Sequence, residues 1–260
     1  MNDLYLYFSG TGNTRHALDM LARELENESY ELVSIERTDV DFDARIRSAN
    51  LIALAYPIYE SMMPPIMEEF LLRHQAAFLG KRLSVLVTQM LFSGDGAALA
   101  GRVLKRQDVR ILHTIHVNMP NNLTDVRLFP RRSPEQHARK IAKAKQRIQK
   151  QATKIHEGGT IRDGRRWYSW LLGYVIQRGF GKLTLPWLQK RLRINQDTCT
   201  NCNLCVEVCP VQNLIAKDDK ILTKNQCTLC YRCINACPVR AISLFTKRPP
   251  RQQYMNKPYR

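Results

Sequence analysis

Eight cysteines lie between Cys199 and Cys237, and they fall into two copies of one pattern. Cys199, Cys202, Cys205 and Cys209 lead into Pro210; Cys227, Cys230, Cys233 and Cys237 lead into Pro238. Both copies read C-x2-C-x2-C-x3-C-P. Three thiolates at such short intervals sit on one loop, where their sulfurs can converge on a compact object. A cuboidal [4Fe–4S] cluster has four iron corners, so the loop supplies three ligands and the fourth comes from elsewhere. Structural zinc takes cysteine pairs well separated in sequence and leaves the third cysteine unexplained. Disulfides need an oxidising compartment. No signal peptide is expected, because Met1-Asn2-Asp3 runs straight into the apolar stretch Leu4–Phe8. The pattern predicts two [4Fe–4S] clusters that use every cysteine in the chain.

The repeat resembles the ligand run of bacterial two-cluster ferredoxins. In that family the fourth cysteine of each run ligates the other cluster. The resemblance therefore implies Cys199, Cys202, Cys205 and Cys237 on one cluster, and Cys227, Cys230, Cys233 and Cys209 on the other. Each half is expected as a loop, a short helix carrying the fourth cysteine, then a short strand. Lys217-Asp218-Asp219-Lys220 reads as the turn between halves. A unit of this size has a small apolar core, so its folding is expected to depend on cluster assembly.

A second chemical signal opens the chain. The strand pattern Asp3–Phe8 ends in Ser9-Gly10-Thr11-Gly12-Asn13-Thr14, and an amphipathic helix is expected from Thr14 to Glu26. A strand–loop–helix of this kind aims backbone N–H groups at an anion. Gly10 and Gly12 permit close backbone approach, and Ser9, Thr11 and Thr14 add neutral donors. A Walker loop would need a lysine that is missing here. A dinucleotide fingerprint would need a glycine where Arg15 stands. The segment instead resembles the flavodoxin phosphate loop, which holds the monophosphate of FMN.

The elements that must position this loop alternate. Strands are expected at Tyr30–Ile35, Leu51–Tyr56, Leu83–Gln89 and Ile111–Val117, and helices at Pro65–Ala77 and Ala97–Arg106. Such β/α order predicts a doubly wound parallel sheet. In the order 2-1-3-4-5 the flavin sits at the switch point between the first and third strands. Two further loops would line it. One holds Pro57 and Tyr59, whose ring can stack on a flat conjugated system. The other is Phe92-Ser93-Gly94-Asp95-Gly96, whose glycines free N–H groups for the flavin edge. Asp95 also fits an ordinary turn aspartate. Asn118-Met119-Pro120-Asn121-Asn122 is expected to close the pocket. His113 and His116 read as structural.

Together the halves resemble the flavodoxin–ferredoxin fusion proteins. The expected fold is α/β, a flavodoxin-like doubly wound sheet followed by a small α+β two-cluster ferredoxin-like domain. Expected boundaries are 1–157 for the FMN-binding domain, 158–191 for a basic, Trp-rich connector, 192–246 for the ferredoxin domain and 247–260 for a basic flexible tail. The resemblance implies FMN and two [4Fe–4S] clusters in a cytoplasmic electron carrier or flavin-dependent oxidoreductase. Its substrate, if it has one, is not implied.

Charge is unevenly placed. Residues 1–126 hold 12 Lys and Arg against 16 Asp and Glu, whereas 127–191 hold 17 against 3. The basic character thus belongs to the middle of the chain. A helix is expected over Pro134–Glu157, capped by Ser133, with Ile141, Ala144, Ile148, Ala152 and Ile155 on one face. Trp167–Leu188 carries all three tryptophans; Arg178 and Lys182 interrupt it, and its uncharged run is far short of a membrane span. It reads as an inter-domain packing segment, or as a patch for the inner face of an anionic membrane. An acidic redox protein suits the charge as partner. Nucleic acid is not expected, because no recognition motif accompanies the charge. Oligomeric state is not encoded in these patterns.

Overall fold

The structure, a computed structural model, describes residues 3–25, 30–59, 61–92, 94–126, 128–130, 132–165, 167–171, 173 and 179–256. The side chains of 168, 170, 180 and 182 lie outside that description. Two compact units result. The first is Met1–Ser9, Asn13–Pro120 and Ala138–Gly181; the second is Gly10–Gly12, Asn121–His137 and Lys182–Arg260.

In the first unit β1 (Asp3–Tyr7), β2 (Leu32–Ser34), β3 (Leu51–Pro57), β4 (Arg82–Gln89) and β5 (Arg110–Asn118) form one parallel sheet in the order β2-β1-β3-β4-β5. Strands buried on both faces read as continuous apolar runs, as Leu51–Tyr56 does. On one face Tyr5, Ala53, Ala55, Leu86, Ile115 and Val117 pack with Leu18 and Leu21 of α1 (Asn13–Leu25). The same layer takes in Ala144, Ile148 and Ala152 of α5 (Pro134–His156). The expected apolar face of that long helix is the one it buries, with Ile141 and Ile155 packed at its margins. Ser133 caps it reciprocally: Gln136 N–H donates to Ser133 Oγ and Ser133 N–H to Gln136 Oε1.

The shorter helices of this unit include α2 (Phe42–Ser48) before β3, α3 (Pro65–Arg73) after it and α4 (Leu99–Val103) after β4. Phe42 and Phe70 meet edge to face at 4.9 Å between ring centres. The sequence pattern does not predict α2. Its seven residues offer only Phe42 and Ile46 as buried positions, and Asp41 starts it by accepting from Ala44 N–H. The helices expected at Pro65–Ala77 and Ala97–Arg106 also shorten, because an end of each apolar stretch winds into a 3₁₀ turn, at Gln75–Phe78 and Gly96–Ala98.

A β-bulge in β5 shifts its pairing with β4 after Leu83, so Ser84 faces His113. Beyond α5 the chain returns to that strand: Thr114 N–H donates to Ile161 O, and Asp163 N–H to Thr114 O. Then follow α6 (Trp167–Leu171) and α7 (Gly179–Gln189), the latter with Pro186 inside it.

The second unit contains two antiparallel strand pairs. Of these, β6 (Arg193–Ile194) pairs with β9 (Ile242–Ser243), and β7 (Leu214–Lys217) with β8 (Lys220–Thr223). The β7–β8 connection is the turn expected from sequence: Asp218 and Asp219 both adopt positive φ, 50° and 54°, as a two-residue type I′ hairpin requires. Short helices α8 (Leu204–Glu207) and α9 (Arg232–Ala236) carry the third cysteine of each run, Cys205 and Cys233. The fourth cysteine comes after each helix, contrary to expectation. Of the flexible tail expected over 247–260, residues 257–260 lie outside the described residues, and residues 253–256 pack instead. Tyr254 N–H donates to buried Asn235 Oδ1 at 2.8 Å, and Gln253 Nε2 donates to the carbonyls of Ile234 and Cys237.

Candidate metal and flavin sites

The strand pairing of the second unit explains where its cysteines converge. β6 leads into the first cysteine run and β9 follows the second; β8 leads into the second run and β7 follows the first. Each pair therefore joins the entrance of one run to the exit of the other. One resulting cavity is lined by Cys199, Cys202, Cys205 and Cys237. The other is lined by Cys209, Cys227, Cys230 and Cys233. Each holds three cysteines of one run and the fourth of the other. Among the described residues, no three His, Cys, Asp or Glu side chains are grouped to hold a single metal ion. Four thiols around a cavity are the arrangement a multi-iron cluster requires.

The backbone repeats with the cysteines. Asn201 and Leu229 occupy the same place in their runs, with φ of 52° and 58°; Asn203 and Tyr231 follow at 59° and 63°. These left-handed residues turn the loop so that three sulfurs face one way. Asparagine adopts the conformation readily, whereas leucine and tyrosine do so at a cost. Backbone N–H groups then reach sulfur. Ala241 N–H donates to Cys237 Sγ at 3.3 Å, and Asn213 N–H to Cys209 Sγ at 3.2 Å, four residues on in each run. Leu229 N–H adds a bond to Cys227 Sγ.

The donor set suits iron–sulfur clusters in a further respect. Thr228 lines the second cavity, and its hydroxyl is buried with no hydrogen-bond partner among the described residues. A cluster sulfide would accept its proton. Burial pushes the Cys205 thiol up to about 11 and Cys227 up to about 12, with neighbouring thiols adding to the rise. Cys233, still more enclosed, is raised well above the usual thiol value by burial, then by Cys230, Cys227 and Cys209. Thiolates here need compensating positive charge, which iron supplies, so loading releases protons.

A polar brace supports the second run. Tyr231 donates its hydroxyl to Asp125 Oδ1 at 2.7 Å. Asp125 Oδ2 accepts from Leu244 N–H and Phe245 N–H, and the carboxylate is buried. Burial, then the carboxylate, hold the phenol well above its ordinary pKa. Asn235, also buried, accepts from Thr124 Oγ1 and donates to Asn122 O. Sequence reasoning missed Asp125 and Asn235. Their partners lie about a hundred residues away in sequence, and no local pattern marks them.

In the first unit, Ser9, Pro57, Tyr59 and Phe92–Gly96 all lie at or beyond the carboxyl ends of β1, β3 and β4. Ser93 falls outside the described residues. The sheet order places the switch point between β1 and β3. Asn13 Nδ2 donates to Pro120 O at 2.9 Å, which ties the start of α1 to the segment after β5. The buried hydroxyls of Thr14 and Thr88 lie 2.7 Å apart. Tyr59 and Met62 exchange two backbone hydrogen bonds around buried Ser61, whose φ is 59°. Asp95 is buried and ion-paired with Arg102. Phe92 is partly exposed, and Gly94 has φ of 58° and so little room that a Cβ would meet the Ser169 and Gly173 backbone.

Gly10–Gly12 groups with the second unit. A Cβ on Gly10 would lie 2.2 Å from Cys230 O, so only glycine fits. Arg232 Nε donates to Gly10 O, and Asn256 N–H to Thr11 O. Asn122 Nδ2 donates to Thr11 Oγ1 at 3.3 Å. Gly12, with φ of 91°, turns the chain into α1. Within the first unit, the buried hydroxyls of Ser9 and Thr14 beside the start of the 13-residue helix α1 are a cradle whose chemistry would suit a phosphate monoester.

His113 and His116 each accept a backbone hydrogen bond. Ile161 N–H donates to His113 Nδ1, and Ala97 N–H to His116 Nε2. Burial lowers both, His116 to about 4.

Comparison with known proteins agrees with both halves. A family model described as "Flavodoxin domain" matches residues 4–155, and one described as "4Fe-4S dicluster domain" matches residues 191–238. No curated protein matches. Among solved structures, a flavodoxin from the domain Archaea is 16% identical, covering 60% of this chain and 99% of its own, at a TM-score of 0.40. The two-electron reduced flavodoxin of Megasphaera elsdenii is 20% identical, covering 58% and 98%, at 0.42. Flavodoxin 2 of Bacillus cereus is 16% identical, covering 60% and 98%, at 0.40. The family models imply FMN and two [4Fe–4S] clusters and a role in electron transfer. The chain belongs to the flavodoxin-domain family and joins that domain to a 4Fe–4S dicluster domain, a flavodoxin–ferredoxin fusion.

Proposed function

We propose that the protein passes electrons between one-electron iron–sulfur carriers and an FMN two-electron centre. The observation that carries this is the pair of cavities, each lined by three cysteines of one run and the fourth of the other. Bound clusters exchange single electrons, and bound FMN accepts two. Cys199, Cys202, Cys205 and Cys237 would hold one cluster, and Cys227, Cys230, Cys233 and Cys209 the other. The N–H groups of Ala241, Asn213 and Leu229 stabilise thiolate charge at Cys237, Cys209 and Cys227. Ser9–Thr14 would hold the FMN phosphate, with Pro57, Tyr59 and Phe92–Gly96 around the ring. Residues 1–157 would serve as the flavin domain and 192–246 as the cluster domain.

The partner is a redox protein, and the excess of basic residues over 127–191 favours an acidic one. A second reading, contact with an anionic membrane surface, draws on exposed apolar residues. Trp167 is 75% exposed; Leu183 is 82% and Trp187 55% exposed, with Arg191 stacked 3.9 Å over the Trp187 ring. Among the described residues no helix is long and apolar enough to cross a membrane.

Anaerobic purification with iron, sulfide and FMN quantification tests the proposal. About eight irons and one FMN per chain are expected, four irons in each cluster. Eight irons without flavin would remove the flavin half. Cys237→Ala should abolish the cluster of the first run; a reduced EPR spectrum with both signals intact would sink the crossed ligation.

A further inference from the structure

We infer that the first unit carries an anion site distinct from the phosphate cradle, built for a small molecule bearing a di- or triphosphate. A cleft of about 750 Å³ opens beside α5. Its walls carry Lys143, Arg147, Lys150 and Lys154 from the helix, with Arg162 and Asp163 from the segment that returns to β5. The four helical cations recur at intervals of four, three and four residues, which aligns them on one face. That face is not the buried one, which Ala144, Ile148 and Ala152 occupy.

Asp163, the one carboxylate of the lining, is already engaged. Its Oδ2 accepts from Arg147 at 2.6 Å, from Gln151 Nε2 at 3.0 Å and from His116 N–H at 3.0 Å. Arg147 also donates to His116 O, so its guanidinium is fixed in place. Among the described residues, Lys143, Lys150, Lys154 and Arg162 enter no ion pair. Five cations against one satisfied carboxylate leave a strongly positive concave wall, where field lines focus.

Shape and length select the ligand class. The volume falls within the range of about 300–1,000 Å³ typical of small-molecule sites. Arg147 and Lys154 are seven residues apart, about 10 Å along a helix, with Lys150 between them. A single phosphate cannot engage all three charges, whereas linked phosphates reached by long lysine side chains can. The concave form separates this from a flat protein-docking surface.

Calorimetry on the full chain loaded with FMN and clusters tests the site, with inorganic triphosphate as probe at constant ionic strength. One-to-one binding is expected, tighter than for orthophosphate. Lys150→Gln with Lys154→Gln should weaken it at least about tenfold, since charge-assisted contacts are lost. Arg162→Gln, from the other wall, should weaken it independently. Lys105→Gln with Lys145→Gln removes equal charge from exposed positions outside the cleft and should leave affinity within about twofold. Equal losses in both lysine pairs, or binding of several triphosphates per chain, would overturn the site. All these side chains are exposed, and circular dichroism checks that α5 persists.

Discussion

The two units are held together by different things. The first has a five-stranded sheet with apolar side chains on both faces and a long helix sealing one of them. The second has two short strand pairs, and its apolar cluster includes Cys205, Cys227, Cys233 and Cys237 themselves. Its core is therefore lined by the groups that bind its cofactor. From this contrast the first unit is expected to fold ahead of its cofactor and the second to depend on it.

Iron removal is the strongest way to probe that contrast. Chelation under reducing conditions should unfold the second unit while the first keeps its cooperative melt, because cluster binding supplies folding energy there. Calorimetry that still shows two intact transitions after complete iron loss would erase the distinction.

The next effects are matched in size and opposite in location. Ile148→Ala empties part of the helix–sheet layer and should cost about 2–5 kcal/mol in the first unit, with iron content unchanged. Asp125→Ala leaves the Tyr231 hydroxyl and two buried N–H groups without their acceptor, at about 3 kcal/mol or more. Its signature should be faster cluster loss, with the flavin transition unmoved. Denaturant melts read by flavin fluorescence and by cluster absorbance separate the two.

The first unit should also respond to acid in its own way. His116 is buried neutral with its pKa lowered from 6.5 to about 4. Between those values the unfolded chain binds a proton that the folded chain does not, so stability falls as pH drops from about 6.5 to 4. The contribution is about 3 kcal/mol in full. His116→Gln should flatten this slope in the flavin-monitored melt; an unchanged slope would exclude His116 as its source.

The smallest effect compares the two cysteine loops. Asn201→Leu gives the first loop the residue its counterpart carries in the second. It places leucine at positive φ and removes the bond from Asn201 Nδ2 to Asp219 O. A loss of about 1–2 kcal/mol is expected, read as faster bleaching of the first cluster. No change would mean the second loop's leucine is as comfortable as asparagine.

Local patterns carried much of this fold. The five strands, α1 and α5 appear where periodicity puts them, and the Asp218-Asp219 turn where its residues demand it. What escaped the sequence depends on distant contacts. Two buried positions are too few to reveal α2. The bulge at Ser84 and His113 reflects how two strands meet, which neither strand's sequence records. Lys247–Asn256 reads as polar and basic, yet its amides meet acceptors supplied by α9. Thr228 looks like any loop threonine until its hydroxyl is found buried in the cavity wall.

The interleaved strand pairs have a consequence for how the protein is made. A chain emerging from the ribosome presents Cys199, Cys202 and Cys205 early, but their fourth proposed ligand, Cys237, comes 32 residues after Cys205. The strand that would bring it into place, β9, comes later still. The first-born site is thus the last that can be completed. On the proposed pairing, completion of the first cluster must wait until Cys237 and β9 have been made, and a chain cut short before Cys237 would lack its fourth ligand.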